Sequence, residues 1–243
     1  MNNPTFSNFY QKQGKAYFQS DRPEMLTYIP STAKIILEVG CGQGNFGRLI
    51  KKHYEVEIWG IELNYQAAMQ ASQCLDRVIC DNFEDDLDLP QHYFDCIIFN
   101  DVLEHLVEPE RALILARKLL TGSGVIVASI PNVRYFNNLW ELLIEADWQY
   151  KDLGILDRTH LRFFTRKSMI KLFQKLGYEI QNIEGIHPCE QNYPLAVAPR
   201  RRQMFLLLFP WLDKLFRGHL GDMRYQQFAM VAKIQLNKPN APE

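Results

Sequence analysis

The sequence predicts an α/β protein, a three-layer, doubly wound sheet with helices on both faces. Apolar, strand-like runs alternate with amphipathic, helix-like stretches along most of the chain, and this alternation is typical of a parallel sheet. Glycines crowd the end of the first apolar run, where a strand must turn sharply into a helix. The chain has 243 residues, of which 47% are apolar and 23% charged, so it can bury the core of one such domain.

The first half of the chain supplies five strands and three helices. We predict strands at 34–39, 57–62, 77–80, 94–99 and 124–130. We predict helices at 45–53, 65–74 and 109–120. Pro109 suits the first turn of the third helix and Gly122 follows its end, so both ends of that helix are marked.

The second half is less regular. Residues 134–146 are predicted to be helical, and Thr165 is predicted to cap a helix that stops at Gly177. Two further strands, at 178–186 and 224–235, would complete the sheet. The predicted organisation is therefore an N-terminal helical cover (1–30), a core (31–187), an insertion or lid (188–223), a closing strand (224–235) and a flexible tail (236–243).

Composition narrows the functional class. The net charge is −1, so we expect no nucleic-acid partner. The five cysteines show neither C-x-x-C nor Cys/His ligand spacing, which argues against disulfides and fits a cytoplasmic protein. No signal peptide is visible at the N-terminus. The longest apolar run, at 204–212, is too short to span a membrane.

The most informative segment is the glycine turn. An apolar run ends in Glu38, and Gly40, Gly42 and Gly44 follow at alternate positions. The dinucleotide fingerprint would need a glycine at position 45, which is Asn45 here. The turn instead resembles the first motif of class I S-adenosylmethionine (SAM)-dependent methyltransferases, in which an acid precedes G-x-G-x-G. SAM carries an ammonium, a carboxylate and a sulfonium rather than a pyrophosphate, so a carboxylate near the turn is useful.

The resemblance implies a seven-stranded Rossmann-like sheet whose last strand is antiparallel, with the helical insertion before that strand. It also implies a series of cofactor contacts, because ligands of such sheets bind at the carboxyl ends of the strands. Beyond the turn, the expected SAM-binding residues are Glu62 for the ribose, Asp81 and Asn82 for the adenine amino group and ring, Leu63 and Phe83 as apolar walls, Asn100 for the ammonium, and Arg22 for the carboxylate.

The segment after the fourth strand, 100–106, resembles that of ubiquinone-biosynthesis-type and other small-molecule O-methyltransferases. We therefore consider His105 as a base that removes a proton from a hydroxyl acceptor, with Asp101 or Glu104 orienting it or binding substrate. A second candidate base is His160, in a 157–165 segment that also resembles this group. His160 could instead pair with His105. Arg158 and Arg162 of this segment could hold an acidic substrate, or they could be neutralised by Asp157 in a structural loop network. Alternatively His105 is structural, or the acids and histidines here coordinate a divalent ion.

The sequence thus predicts a SAM-dependent methyltransferase that acts on a small molecule, most simply at a hydroxyl oxygen. Two rival functions are an NAD-linked oxidoreductase and a domain that binds SAM without turning it over. Residues 200–217 combine a basic flank with bulky apolar side chains, and they predict a membrane contact, a lid over the acceptor or a dimer contact. The acceptor itself is not predicted, because variable loops form its pocket.

Overall fold

A seven-stranded sheet forms the centre of the part of the chain that the computed structural model describes, residues 21–189 and 200–235. Its strands are β1 (Ile35–Val39), β2 (Glu57–Ile61), β3 (Arg77–Ile79), β4 (Phe94–Asn100), β5 (Leu120–Pro131), β6 (Tyr178–Pro188) and β7 (Tyr225–Ile234). Their order in the sheet is β3-β2-β1-β4-β5-β7-β6, and β7 alone runs opposite to the other six strands. The predicted fold class, including the antiparallel last strand, is confirmed.

Six helices are described. They are α1 (Asn45–His53), α2 (Tyr65–Ala71), α3 (Pro109–Leu119), α4 (Phe136–Leu143), α5 (Arg166–Lys175) and α6 (Arg200–Leu215). Short 3₁₀ turns occupy Pro23–Tyr28, Leu103–His105 and Gly221–Arg224. No helix among these residues is long and apolar enough to cross a membrane.

The largest differences from the predicted boundaries lie in three elements. Helix α2 ends three residues early, because the N–H groups of Gln73 and Cys74 bond three residues back and tighten the chain into a turn. Helix α4 begins after and ends before the predicted helix at 134–146. Strand β5 begins four residues early, at Leu120, and its pairing with β4 shifts register between Phe94 and Cys96. The predictions for 1–20, 190–199 and 236–243 lie outside the described residues.

Alternate side chains of the central strands enter two hydrophobic clusters, one on each face of the sheet. On β4, Ile97 and Phe99 join one cluster, and Cys96 and Ile98 join the other. The second cluster also contains the fully buried Met25 of the first 3₁₀ turn. The described end of the predicted N-terminal cover is therefore part of the core.

The strand order fixes where a ligand site can form. The chain runs outward in one direction from β1 to β3 and then returns to β4 on the other side of β1. Open α/β sheets bind ligands at such a reversal, in the crevice at the carboxyl ends of the strands. The parallel strands β1 and β4 end at Val39 and Asn100, which brings the glycine turn and the 3₁₀ turn Leu103–His105 to the same edge.

Candidate active site

A cavity of about 290 Å³ opens at this edge of the sheet. All the site residues that the sequence predicts line it, except Gly44 and Glu62. The predicted residues in its wall are Arg22, Glu38, Gly40, Gly42, Leu63, Asp81, Asn82, Phe83, Asn100, His105 and His160. Residues more than 120 positions apart in the chain therefore meet in one crevice.

All three glycines of the turn adopt left-handed backbone conformations, with φ of 69° at Gly40, 54° at Gly42 and 77° at Gly44. A Cβ on Gly40 would lie 2.7 Å from the side chain of Val102. Gly44 is the N-cap of α1, and a Cβ there would lie 2.7 Å from the sulfur of Cys74. The turn therefore requires glycine at both ends, and at Gly44 the reason is packing against the end of α2 rather than contact with the cavity.

Glu62 lies behind the glycine turn and is 1% exposed. Its carboxylate accepts the N–H of Gly42 at 2.8 Å and the N–H of Asn64 at 2.7 Å. The Asn64 side chain in turn accepts the N–H of Ala67 and caps α2. Glu62 thus ties the turn to the start of α2, and its predicted contact with the ribose stays a prediction.

Two polar side chains in the cavity wall lack full hydrogen bonding. Glu38 is 3% exposed, and no described residue forms a hydrogen bond of standard geometry with its Oε2. Burial raises the pKa of Glu38 to about 8, the charge of Glu62 adds to the shift, and the nearby N–H of Gly47 opposes it. Both side-chain polar atoms of Asn100 are also buried without a partner among the described residues. Such atoms fit a polar, cationic ligand that would satisfy them.

The predicted adenine end is more open. Asp81 is exposed, and its Oδ1 accepts the N–H of Asn82 at 2.7 Å. Phe83 packs edge-on against Phe99, with 5.8 Å between ring centroids, so its ring is held by the core. Together with Leu63 these residues supply an apolar wall with a carboxylate at its rim, which fits a purine ring carrying an amino group.

Arg22 reaches the cavity from the first 3₁₀ turn and belongs to an ionic network. Its guanidinium pairs with Asp101 and Glu24, and it donates to the amide oxygen of Gln227 at 3.0 Å. The same Gln227 donates to Asp101 at 2.9 Å. Arg22 and Asp101 both have positive φ, 46° and 54°, and strained backbone of this kind clusters at functional sites. Asp101 is thus paired with Arg22 rather than with His105.

The histidines form the other side of the cavity. The rings of His105 and His160 meet edge to face, with 4.7 Å between centroids. Nε2 of His160 lies 3.9 Å from Oε1 of Glu104. Ligand atoms of Glu104, His105 and His160 all lie within 4.8 Å of one another, so this cluster could hold a divalent ion. The acid beside the histidines is Glu104, and Asp101 is not part of the cluster.

Burial disfavours the charged form of each of these three groups. It lowers the pKa of His105 to about 3, and the neighbouring His160 adds to the effect. It also lowers the pKa of His160. For Glu104, which is 1% exposed and whose carboxyl oxygens have no partner among the described residues, burial and then Asp101 raise the pKa well above its usual range. The cluster is thus two neutral imidazoles beside a buried carboxyl group whose charged form is disfavoured.

Main-chain bonds hold the second histidine segment over β4. The carbonyl of Glu104 accepts the N–H groups of Leu161 and Arg162, at 2.8 and 3.0 Å. Arg158 pairs with Asp152 at the surface. Neither Arg158 nor Arg162 is part of the cavity wall, so the idea that they bind an acidic substrate gains no support.

Sequence reasoning missed several residues of the cavity wall. Gln227 lies on β7, far along the chain, and no local pattern connects it to Arg22. Leu153 and Gly154 lie in the long connection after α4. Gly154 has φ of 93° and no motif around it. Only the folding of that connection over the strand ends brings Leu153 and Gly154 to the site, and only the pairing of β7 with β5 brings Gln227 there.

Helix α6 carries the predicted contact surface at 200–217. Leu207, Trp211 and Leu215 are 70%, 64% and 61% exposed, and they are spaced so that they share one face of the helix. These three side chains are therefore not buried against the described part of the sheet.

Comparisons with known proteins agree with this geometry. A family model described as "Methyltransferase domain" matches residues 10–183. The chain is 26% identical over 211 residues to a ubiquinone biosynthesis O-methyltransferase from Psychrobacter arcticus, covering 80% of this chain and 79% of that protein. It is 23% identical over 196 residues to the enzyme of the same name from Neisseria meningitidis serogroup A, covering 75% and 82% of the two chains.

Among solved structures, a SAM-dependent methyltransferase from Archaeoglobus fulgidus superposes with a TM-score of 0.65 at 19% identity, covering 96% of this chain and all of the other. This likeness shows the shared fold. The family match spans well over half of the chain and includes the glycine turn and both histidine-bearing segments. It also removes the NAD-linked oxidoreductase as a rival. The chain therefore belongs to the methyltransferase domain family and is an S-adenosylmethionine-dependent methyltransferase.

Proposed function

We propose that this methyltransferase transfers the methyl group to a hydroxyl oxygen of a small-molecule acceptor. The observation that carries the proposal is the pair of neutral histidines in the cavity wall, His105 and His160, since a hydroxyl acceptor has a proton to lose. The O-methyltransferase names of the two bacterial relatives support the same choice. The two histidines line the same cavity as the residues that we assign to the donor, so an acceptor held beside them would lie next to the donor.

The donor side of the proposal rests on the strand ends. SAM, when bound, supplies a methyl group on a sulfonium, which is a good leaving group. We assign its binding to the turn and the polar wall: Arg22, Glu38, Gly40, Gly42, Gly44, Glu62, Leu63, Asp81, Asn82, Phe83 and Asn100. Glu38 and Asn100 have unsatisfied polar atoms, which favours this assignment. These residues orient the donor, and orientation is the main requirement of methyl transfer.

The acceptor side requires a proton acceptor that is unprotonated when substrate arrives. The lowered pKa values of His105 and His160 keep both rings neutral at physiological pH. The low basicity of a buried imidazole is offset during the reaction. Because methyl transfer would remove the donor's positive charge, an imidazolium formed at one of the histidines would leave the total charge of the cavity unchanged. One of the two histidines can therefore hold the proton that the hydroxyl releases.

Release of S-adenosylhomocysteine tests the proposal. The purified protein would be incubated with SAM and a panel of hydroxylated aromatics, sugars and lipid-like alcohols, with the matching amines and thiols as controls. We expect release with at least one hydroxyl compound and with none of its amine analogues. Turnover of an amine or a carbon acceptor in place of every alcohol would reject oxygen as the target. No release with any acceptor, despite SAM binding, would instead favour a domain that only binds the donor.

The exposed face of α6 supports a contact outside the chain, with a membrane or a second copy. Replacing Trp211 and Leu215 by serine should leave the fold intact, since both side chains are exposed. Co-sedimentation with anionic vesicles and light scattering would then separate the two contacts. Loss of vesicle binding in the variant supports a membrane contact, and loss of a dimer supports self-association.

A further inference from the structure

Two buried polar residues next to His105 have no part yet in the proposed reaction. Asp157 and Thr159 are each 2% exposed. The Thr159 hydroxyl lies 2.6 Å from Oδ1 of Asp157 and 3.0 Å from Nδ1 of His105. The three side chains therefore form a continuous line of hydrogen bonds from a buried carboxylate to an imidazole in the cavity wall.

The direction of these bonds follows from the number of protons available. A carboxylate can only accept, and Oδ1 of Asp157 also accepts the N–H of Thr159 at 2.7 Å. The single hydroxyl proton of Thr159 is therefore donated to Asp157, and its oxygen is left as an acceptor toward His105. The carbonyl oxygen of Thr159, 3.2 Å from the same Nδ1, is a second acceptor. Nδ1 must then carry the proton, which leaves the lone pair of the neutral ring on Nε2.

We propose that Thr159, oriented by Asp157, is a positioning residue that holds neutral His105 in the tautomer with the lone pair on Nε2. This tautomer lets Nε2 take a proton from the acceptor, and the inference rests on the proposed function in that respect. Orienting a base through its other ring nitrogen is a general way to fix which nitrogen reacts. Here a neutral hydroxyl separates the carboxylate from the ring.

The neighbouring His160 provides an internal comparison. Its Nδ1 lies 2.8 Å from the main-chain carbonyl of Ile155, so the same tautomer is favoured there by a group that no side-chain substitution removes. Nδ1 of His105 has a side-chain acceptor, the Thr159 hydroxyl, in addition to a main-chain carbonyl, whereas the acceptor at Nδ1 of His160 is a main-chain carbonyl. A change at Thr159 should therefore affect one ring and leave the other as it was.

A purely structural role for Thr159 is the alternative explanation. Asp157 and Thr159 also close the turn that leads into His160, whose N–H bonds to the carbonyl of Asp157 at 3.0 Å. Such a role would affect stability without changing the proton position on His105. The tautomer of the ring is thus the measurement that separates the two explanations.

Nitrogen-15 NMR of the imidazole rings provides this measurement and needs neither donor nor acceptor. The chain has six histidines, and the signals of His105 would be identified by their loss in His105→Gln. We expect Nδ1 of His105 to be protonated and Nε2 unprotonated in the wild type and in Thr159→Ser. In Thr159→Val, which keeps the shape but loses the hydroxyl, the tautomer ratio should shift by about fivefold, the effect of one hydrogen bond of about 1 kcal/mol.

Two results would overturn the inference: a wild-type His105 protonated on Nε2, or a Thr159→Val spectrum in which the His105 ratio is unchanged. If Thr159→Val does not fold, the wild-type and Thr159→Ser spectra still decide the tautomer. His160 should keep its ratio in every variant. The proposed function fails by a different route, through methyl transfer that survives removal of the histidines, so the two failures are distinguishable.

Discussion

The two sides of the cavity are built by different means. The donor side (the glycine turn, Glu62, residues 81–83 and Asn100) is formed by strand ends and main-chain bonds, such as those from the N–H groups of Gly40 and Cys41 to the carbonyl of Ile61. The acceptor side (the Leu103–His105 turn and residues 153–164) combines a few main-chain bonds to Glu104 with side-chain bonds such as that from Thr159 to Asp157. A site made by backbone geometry tolerates few substitutions, whereas a site made by side chains in a connection can change its substrate while the fold is kept.

The largest effect should come from the acceptor side. With an acceptor found in the panel described above, we expect His105→Ala or His160→Ala to lower the rate of methyl transfer by about 10²- to 10⁴-fold, the usual contribution of a general base. SAM affinity, measured by calorimetry, should stay close to that of the wild type. Full activity in both variants would remove the histidines from the mechanism.

A divalent ion held by Glu104, His105 and His160 would produce the same loss of activity by another route. Chelation separates the two explanations. If a histidine acts as a base without an ion, EDTA should leave the rate unchanged. If an ion is required, EDTA should abolish activity in the wild type, and added Mg²⁺ or Mn²⁺ should restore it.

On the donor side, Gly40→Ala should weaken SAM binding by about 10- to 100-fold, because a left-handed backbone costs a non-glycine residue about 1–2 kcal/mol and the new methyl group would crowd Val102. Gly122→Ala is the matched control, since a Cβ there meets no described atom within 4 Å. Calorimetric titration with SAM measures both. Equal affinities in the two variants would contradict a donor site at the turn.

A smaller effect is expected at Glu62. In Glu62→Gln one of the two oxygens that accept the N–H groups of Gly42 and Asn64 becomes an NH₂ group, which cannot accept. We expect the free energy of unfolding to fall by about 1–3 kcal/mol, with weaker SAM binding as well. Chemical denaturation measures the change, with the exposed Glu84→Gln as control. An unchanged stability would show that the turn does not depend on this carboxylate.

The smallest effect, taken over a single pH unit, concerns the charge of Glu38. The pKa of Glu38 is about 8 in the folded chain, against 4.5 as its ordinary value, so between these pH values the folded state binds a proton that the unfolded state has released. Stability should therefore fall as pH rises through this window, by up to about 1.4 kcal/mol per pH unit. Glu38→Gln should lose this part of the slope, as measured by denaturation at pH 6 and pH 7. Identical slopes would mean that Glu38 is already ionised.

Much of the donor side could be predicted because its signals are local. Three glycines within the seven residues from Glu38 to Gly44 indicate a turn with positive φ. Glu62 and Asn100 each end an apolar run. The structure placed these residues as the strand order requires. It also changed the reason for one of them, since Gly44 is needed for packing against α2 and does not line the cavity.

The acceptor side was only partly predictable. His105 and His160 were both named from the sequence, and their pairing was one of the alternatives considered. The pairing of Arg22 with Asp101 and the approach of Glu104 to His160 were not predicted. These relations join residues far apart in the chain. No local pattern encodes them, because hydrogen bonds between side chains depend on how the connections fold over the sheet.

The sequence by itself thus determined the alternation of strands and helices, the position of the glycine turn and the family of the protein, since hydrophobic periodicity and backbone conformation are properties of short segments. The tertiary structure alone decided which polar groups are buried together and therefore which are uncharged. Burial removes water from Glu38, Glu104 and His105, and only the packing of the whole chain sets how much water is lost.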